Sequence, residues 1–331
     1  MPIRSSTPRI PATMKAAAID RFGPPSVLKL IDLPTPEPEA DQIVIAVHTA
    51  GVGGWDAEIR AGEWPPPGPR KRFPMVLGLD GAGTVVAKGS RVRRFAIGDR
   101  VWAYDSENAG FSAQYVAVDA ENAGRVPKRM TLRAAGAGSA TALTAFQGVA
   151  DHAEVRDGQT VLVFGATGAV GTLAVQFAAA RGARVIATAT GRKATDLVRK
   201  LGARVAIDAR SRDAMAELQL AAPGGIDVVL AFAGGRSLER MLEFVPRGGR
   251  IVYPNGVEPV PEKRSGVRLI SYDAEGGVEA FTRLTRASEQ ARLKVPIAAS
   301  FPLARAADAH RRVKQGHVLG RVVLAVRRGE N

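Results

Sequence analysis

The fold is decided by the stretch VLVFGATGAVG, residues 161–171 of this 331-residue sequence. Its first four residues are a short apolar run typical of a buried strand. Beyond the glycines, apolar residues recur with the i, i+3, i+4, i+7 spacing of a helix that buries one face: Val170, Leu173, Ala174 and Phe177. The stretch therefore predicts a strand, a tight glycine turn and a helix that packs back onto the strand.

A glycine turn in this context is typical of a dinucleotide-binding site. Gly168 would let the backbone approach a pyrophosphate, and Gly171 would let the helix pack closely against the strand. The exposed N–H groups and the positive helix terminus would then receive the phosphate charge. Ala166 replaces the first glycine of the usual pattern, and such turns also join strands to helices for packing reasons alone. The predicted phosphate-binding residues are Gly165, Ala166, Thr167, Gly168, Ala169, Val170 and Gly171.

Four more short apolar runs follow at helix-length intervals. A parallel sheet with helices on both faces and right-handed crossovers is the fold that this alternation favours. We assign residues 129–264 to a doubly wound, Rossmann-type NADP-binding domain. The four further predicted strands span residues 184–188, 203–207, 227–232 and 250–253.

The end of the second strand discriminates between cofactors. An NAD site needs an acidic residue there to hold the ribose 2′-hydroxyl, but the first carboxylate is Asp196. Hydroxyls and cations suit a 2′-phosphate instead, so NADPH (NADP+) is predicted. A solvated basic helix start is the alternative for the cations. The candidates for the 2′-phosphate are Thr188, Thr190, Arg192, Lys193 and, after the third strand, Arg210. Tyr253 and Asn255 end the fifth strand on the same edge, where they would meet the nicotinamide carboxamide.

The chain before this domain has a different pattern of apolar residues. Short β-branched runs alternate with Gly and Pro from residue 14 to about 128, as in a compact, largely antiparallel β domain. A proline-rich loop interrupts it at residues 64–69, and the last predicted strand, residues 321–326, would return to it. We therefore group residues 14–128 with 265–331, and interpret residues 1–13 as a flexible N-terminal extension.

Composition excludes several classes of function. The chain has no cysteine and four scattered histidines, so no metal site is predicted. No apolar run is long enough for a membrane span, and the N-terminus lacks the apolar segment of a signal peptide, so a cytoplasmic protein without a membrane partner is expected. The net charge is +14, but aromatic residues are 5% and no recognition motif accompanies the charge. Nucleic acid is therefore not the predicted partner.

Several ordered motifs resemble the medium-chain dehydrogenase/reductase superfamily, and within it the zinc-free quinone oxidoreductase (zeta-crystallin-like) branch. The resemblance implies an α/β protein with a GroES-like β domain and a Rossmann domain. It also implies a homodimer and hydride transfer in the cleft between the domains. The motifs are RAGEW at 60–64, GLDGAG at 78–83, GDRV at 98–101, GFSAQY at 110–115, ALTA at 142–145, the glycine turn, and GRVVL at 320–324.

The resemblance also implies roles for single residues. Thr144 matches a threonine near the nicotinamide, Trp64 stands in place of a tyrosine lining the quinone pocket, and Lys193 matches a lysine on the 2′-phosphate. Gly53 lies where an Asn-Pro pair is common and is counted with Thr144 and Trp64 as pocket-lining. Thr144 has the alternative of a bond within its own helix, and Trp64 that of a loop anchor.

The leading hypothesis is therefore an NADPH-dependent reductase of quinones or α,β-unsaturated carbonyls. The protein would mainly position the nicotinamide against its acceptor, and no general acid is assigned. One alternative keeps the fold and reduces enoyl thioesters. Another is an NADPH-binding sensor or an RNA-binding protein, prompted by the net charge of +14.

Overall fold

The computed structural model describes residues 10–64, 73–106 and 110–327 of the chain. The strands of this part are β1 (Thr13–Ile19), β2 (Lys29–Pro34), β3 (Gln42–Val52), β4 (Met75–Val76), β5 (Asp80–Lys88), β6 (Arg100–Tyr104), β7 (Tyr115–Asp119), β8 (Ala123–Arg125), β9 (Thr160–Phe164), β10 (Arg184–Thr188), β11 (Val205–Ile207), β12 (Val228–Ala231), β13 (Arg250–Pro254), β14 (Arg268–Tyr272), β15 (Ile297–Pro302) and β16 (Arg321–Ala325). Its α-helices are α1 (Gly54–Ala61), α2 (Leu132–Gln147), α3 (Gly171–Ala180), α4 (Arg192–Lys200), α5 (Ala214–Ala221), α6 (Arg236–Leu242), α7 (Val278–Gln290) and α8 (Ala306–Lys314).

The predicted strand, turn and helix form the centre of a six-stranded parallel sheet. Its strand order is β11-β10-β9-β12-β13-β14, and every neighbouring pair is parallel. Val161 and Val163 pack into one hydrophobic core, whereas Leu162 and Phe164 pack into another. Because helices cover both faces, residues 161–164 are all apolar rather than apolar at alternate positions. The Rossmann-type prediction is confirmed.

The first part of the chain forms the predicted β domain. A mixed sheet has the order β15-β16-β3-β5-β6-β8, with β7 also paired to β3, and β2-β1-β4 form a smaller sheet. Its pairs are antiparallel apart from β15 with β16. Strand β16, near the end of the described chain, pairs with β3 and thus adds a strand to the sheet of the GroES-like domain.

Two predicted boundaries differ from the structure. The parallel sheet does not end by residue 264, because β14 follows that residue and pairs along its length with β13. The predicted extension, residues 1–13, lies mostly outside the described residues, but its last part is held in place. The carbonyl of Ala12 accepts a hydrogen bond from the Thr35 N–H at 3.0 Å, and Thr13 begins β1. Most of the predicted proline-rich loop also lies outside the described residues.

Helix α2 and the last strand join the two domains around one cleft. Helix α2 packs against β3 and β5 of the β domain and against α3 of the Rossmann domain. Just before β16, the Gly320 N–H donates to the Thr167 carbonyl at 2.9 Å, which ties the C-terminal segment to the glycine turn. In the described ranges, no helix is both long and apolar enough to cross a bilayer.

Candidate cofactor and substrate cleft

A cavity of about 700 Å³ lies between the two domains, and most of the predicted site residues line it. The glycine turn forms one side, and β3, α1 and the segment before β16 form the other. Apolar side chains supply much of the wall, as is usual for small-molecule sites. The predicted residues that line the cavity are Gly53, Trp64, Thr144, Gly165, Gly168, Ala169, Val170, Gly171 and Asn255.

The glycine turn has the shape that a pyrophosphate requires. Gly165 has φ +78°, a left-handed conformation that favours glycine. A Cβ on Gly171 would lie 2.8 Å from Ala166 Cα and closer still to the Gly165 carbonyl, so helix α3 can begin there only without a side chain. Gly168 leaves open space on the cavity side, because a Cβ there would meet only the Gly165 carbonyl, at 3.5 Å. The turn therefore fits a dinucleotide phosphate at the positive end of α3.

Three predicted cofactor residues support the turn from behind instead of facing the cavity. Ala166 is fully buried in the core, and Thr167 uses its carbonyl to hold Gly320. Thr188 is also buried, and its hydroxyl accepts the Gly165 N–H at 2.9 Å. The prediction of Thr188 as a 2′-phosphate ligand is thus corrected, because its hydroxyl is bonded within the sheet edge and holds the turn in place.

The predicted 2′-phosphate cations follow β10 and β11, which run parallel and end at the same edge of the sheet. Lys193 makes no hydrogen bond or ion pair with the described residues, and the exposed Arg192 has only a 3.9 Å contact with Asp196. The Arg210 guanidinium instead contacts the His317 ring at 3.1 Å. This contact joins the Rossmann domain to the C-terminal segment beside the cleft.

Asp208 is a carboxylate near this edge that sequence reasoning missed. Its Oδ1 accepts bonds from the Thr190 hydroxyl and from the Arg210 N–H, each at 3.0 Å. Thr190 is therefore committed to a carboxylate rather than open to a phosphate. Asp208 could have been identified from the sequence, because it comes just after β11, on the cofactor edge of the sheet.

The end of the cleft assigned to the nicotinamide contains Thr144 and Asn255. The Thr144 hydroxyl donates to the Ala140 carbonyl at 3.0 Å, so the bond within its own helix is present even though the residue lines the cavity. Asn255 also lines the cavity, and its side-chain amide donates to Asp273 at 2.7 Å. Tyr253 does not reach the cleft with its ring, which is buried in the core beneath the sheet.

Two tryptophans form the outer wall. Trp64 is 47% exposed and packs edge-to-face against Trp55, with ring centroids 4.4 Å apart. Both residues line the cavity. Trp64 thus lines the cavity and packs on another ring, while the rest of its predicted loop lies outside the described residues.

Arg321 and Asp80 form a buried ion pair in the cavity wall that sequence reasoning did not single out. The Arg321 guanidinium donates to Asp80 at 2.7 Å, and the two side chains are 11% and 2% exposed. The second carboxylate oxygen of Asp80 accepts the Ala140 N–H at 3.1 Å. Arg321 follows Gly320, whose N–H bonds to the glycine turn, and its charge is balanced by Asp80.

A second buried carboxylate, Asp56, lies on the same wall. It accepts the Gly53 N–H at 2.7 Å, which places Gly53 at the start of α1, while its other oxygen has no hydrogen-bond partner among the described residues. Burial raises the pKa of Asp56 to about 6, against the lowering effects of the Gly53 N–H and of Arg321. Burial also raises the pKa of Asp80, again opposed by Arg321.

Two domain models of known families match the chain. The alcohol dehydrogenase GroES-like domain matches residues 39–128, and a domain described as zinc-binding dehydrogenase matches residues 201–324. Alcohol dehydrogenase 1 of Emericella nidulans is 31% identical, over 95% of this chain and 98% of its own length. The quinone oxidoreductase of Mus musculus is 29% identical, over 92% of this chain and 95% of its own. The chain belongs to the medium-chain dehydrogenase/reductase superfamily, in its quinone oxidoreductase branch.

Solved structures of this superfamily agree with the fold. The quinone oxidoreductase of Coxiella burnetii superposes with a TM-score of 0.81 at 29% identity, covering 95% of this chain and all of that one. An NAD-dependent alcohol dehydrogenase has a TM-score of 0.86 at 29% identity, with the same coverage. A mycobacterial protein complexed with NADPH has a TM-score of 0.81 at 25% identity, again with the same coverage.

One similar protein is much longer than this chain. A mycocerosic acid synthase-like polyketide synthase of Mycobacterium tuberculosis is 29% identical over 98% of this chain but only 15% of its own length. One segment of that synthase therefore corresponds to nearly all of this medium-chain dehydrogenase/reductase. The superfamily assignment makes the protein an oxidoreductase that uses a nicotinamide cofactor.

Proposed function

We propose that the protein is a zinc-independent, NADPH-dependent oxidoreductase that transfers hydride to quinones or to α,β-unsaturated carbonyl compounds. The observation that carries the proposal is that the phosphate-binding turn and an apolar-walled cavity share one cleft. A bound reduced nicotinamide supplies the hydride. The chain's own residues bind it, hold the acceptor beside it and exclude water.

The site roles follow from where the residues lie. Gly165, Gly168 and the first turn of α3 would hold the pyrophosphate, and Asn255 would face the carboxamide end. Arg192, Lys193 and Arg210 would hold the 2′-phosphate. Gly53, Trp64 and Thr144 would line the acceptor pocket, as their place in the cavity wall supports.

Replacing the exposed cationic side chains of Arg192 and Lys193 with neutral ones tests the preference for NADPH over NADH. The double variant Arg192→Gln/Lys193→Gln should raise KM for NADPH about 10- to 100-fold, since each charge-assisted hydrogen bond contributes roughly 1.5 kcal/mol. KM for NADH should stay nearly unchanged. Arg199→Gln, an exposed cation at the other end of α4, is the control. An equal rise in both KM values would contradict the role of these residues in cofactor choice.

The acceptor class is tested with a panel of quinones and enones. Oxidation of NADPH should be detectable with at least one member, and simple alcohols with NADP+ should be slower by orders of magnitude. The rate is followed by the absorbance of the reduced nicotinamide. Absence of turnover on every quinone and enone would refute the proposal.

Zinc independence has its own test. The chain has no cysteine, and within the described ranges no three His, Asp or Glu side chains cluster as a metal site. Treatment with a strong chelator should leave the rate unchanged, and metal analysis of the purified protein should find zinc far below one per chain. Stoichiometric zinc, with loss of activity on its removal, would contradict this part of the proposal.

The enoyl-thioester alternative is favoured by one observation, the match to a segment of a polyketide synthase. A direct comparison separates the two reactions. Enones and enoyl thioesters of the same chain length are offered to the enzyme with NADPH. We expect higher kcat/KM on the free enone or quinone, and a preference for the thioester of tenfold or more would select the alternative.

We also propose a homodimer. Strand β14 ends the parallel sheet, and no described strand pairs with its outer edge. Such an edge is a ready surface for pairing with a second chain. Light scattering after size exclusion should give twice the mass of the chain, and a monomer at micromolar concentration would contradict this proposal.

A further inference from the structure

The hydroxyl groups in the cavity wall differ in whether they have a proton to offer. Those of Thr141 and Thr144 donate to carbonyls one turn back in α2, Thr144 to Ala140 at 3.0 Å. Each can therefore only accept a further hydrogen bond. Among the hydroxyls of the described residues that line the cavity, only those of Tyr104 and Ser106 are therefore left to donate.

Tyr104 faces the cavity because of its register in the sheet. It ends β6 directly opposite Asp80 of β5, and directly opposed residues of an antiparallel pair project from the same face. Asp80 lines the cavity and is fixed there by Arg321. The phenol accordingly stands on the cavity side, and Ser106 lines the same cavity.

The surroundings of Tyr104 keep its proton in place. Burial raises the pKa of the phenol above its ordinary value, and the carboxylates of Asp80, Asp273 and Asp105 act in the same direction, whereas the Ser106 hydroxyl opposes them. A phenolate here would be half-buried among negative charges. Tyr104 is therefore a hydrogen-bond donor throughout the neutral pH range.

From this geometry we propose that the Tyr104 hydroxyl donates a hydrogen bond to the carbonyl oxygen of the acceptor, with Ser106 orienting the phenol. The inference rests on the proposed function and names a catalytic residue for it. The carbonyl oxygen of the substrate can only accept hydrogen bonds. The ionised carboxylates on this wall have no proton to donate to it. A donor placed where negative charge develops stabilises the transition state more than the ground state.

The electron movement during reduction shows what the hydrogen bond from Tyr104 would do. With an enone, a C–H bond forms at the β-carbon from the dihydronicotinamide hydride, the C=C π pair shifts, and the carbonyl oxygen becomes an enolate oxygen. Tyr104 stabilises that oxygen without losing its proton. The α-carbon then takes a proton from water, so the cofactor is oxidised by two electrons and the alkene is reduced by two.

The variant Tyr104→Phe removes only the hydroxyl. We expect kcat on an enone to fall about 100- to 1000-fold, as for other single donors to a developing oxyanion, with KM for NADPH unchanged. On a high-potential quinone the loss should be smaller, near tenfold, because less charge gathers on its oxygen in the transition state. Tyr115→Phe, the same change on β7 outside the cavity, is the control and should retain wild-type rates.

A measurement that does not depend on turnover separates a contact from a packing effect. A saturated ketone, which offers no C=C bond for reduction, is bound in the presence of NADP+, and its C=O stretch is recorded by difference infrared spectroscopy. In the wild type and in Tyr115→Phe the band should shift to lower wavenumber. In Tyr104→Phe it should return toward the position found in an apolar solvent, and Ser106→Ala should give an intermediate shift.

The outcomes are distinct. An unshifted carbonyl band in the wild type, or equal rates for Tyr104→Phe and wild type on an active enone, would overturn the role of Tyr104 and leave the proposed function standing. Absence of turnover by the wild type on every acceptor would instead remove the proposed function, and the inference with it.

Discussion

The two sides of the cleft are built in different ways. The cofactor side is the continuous stretch 161–171, in which backbone N–H groups and missing side chains form the site. The opposite wall collects side chains from α1, β5, β6, α2 and β16, and it depends on the buried pair of Arg321 and Asp80. The first side is local and the second exists only after the domains have folded together, so mutations should affect them differently.

The largest effect is expected on the wall side, from Arg321→Gln. It would leave the buried Asp80 carboxylate without its cation, which typically costs about 3–5 kcal/mol. Urea unfolding at neutral pH should show this loss, and Asp80→Asn added to Arg321→Gln should recover part of it. If the single variant were as stable as the wild type, the pair would not hold the wall together.

The matching change on the cofactor side is Gly171→Ala. The added Cβ would overlap the backbone of Gly165 and Ala166, so α3 would have to move away from the turn. We expect the affinity for NADPH to fall about 100-fold, roughly 3 kcal/mol, as measured by the fluorescence of the bound cofactor.

A matched glycine gives the control for that change. Gly224→Ala lies outside the cavity in open space and should bind NADPH as the wild type does. Undiminished binding by Gly171→Ala, with normal circular dichroism, would refute the close-packing account of the turn.

A smaller effect, dependent on pH, is expected at Asp56. Its pKa of about 6 in the folded protein lies above the ordinary 3.8, so the folded state holds the proton more tightly than the unfolded chain. The resulting stability is complete below pH 3.8 and is lost as the pH rises through about 6. Between pH 5 and 7 the wild type should lose about 1 kcal/mol relative to Asp56→Asn.

Paired unfolding curves of the two proteins at both pH values measure this difference. A constant gap between them would show that Asp56 does not titrate in this range. The neighbouring charges that shift the pKa of Asp56 are Arg321 and Asp80. Both are present in the wild type and in Asp56→Asn, so they do not differ between the two curves.

The smallest effect is expected at the outer wall. Trp64→Ala removes the ring that would stack on an aromatic quinone, and an aromatic contact of roughly 1 kcal/mol corresponds to about fivefold in KM. KM for NADPH should not change, because Trp64 is assigned to the acceptor and not to the cofactor. Steady-state kinetics with an aromatic and a small aliphatic acceptor would show the difference, and equal effects on both would argue against ring contact.

The same contrast explains which features the sequence could predict. Strand β10 was predicted to the residue and β9 nearly so, and the last strand was predicted one residue longer than β16, because apolar runs and glycine turns are local signals. Thr188 and Tyr253 were assigned to the cofactor from their positions on the sheet edge. Sequence alone does not show which way a side chain at a strand end points, and both are buried.

The wall residues were missed for a related reason. Asp80, Arg321 and Tyr104 are far apart in the chain, and only the pairing of β5 with β6 and of β16 with β3 brings them to one cavity. Asp80 and Arg321 lie within family motifs but received no role, and Asp56 was not singled out because its burial comes from tertiary packing. The sequence did identify Gly53, Trp64 and Thr144 as pocket residues, through the resemblance rather than through local pattern.

The most direct test of the account is a competition between NADPH and NADH as hydride donors to a quinone and an enone. At low, equal concentrations of the two cofactors, the wild type should reduce at least one acceptor, with kcat/KM for NADPH at least tenfold above that for NADH, roughly 1.4 kcal/mol. A higher kcat/KM for NADH, or no reduction of either acceptor class, would contradict it.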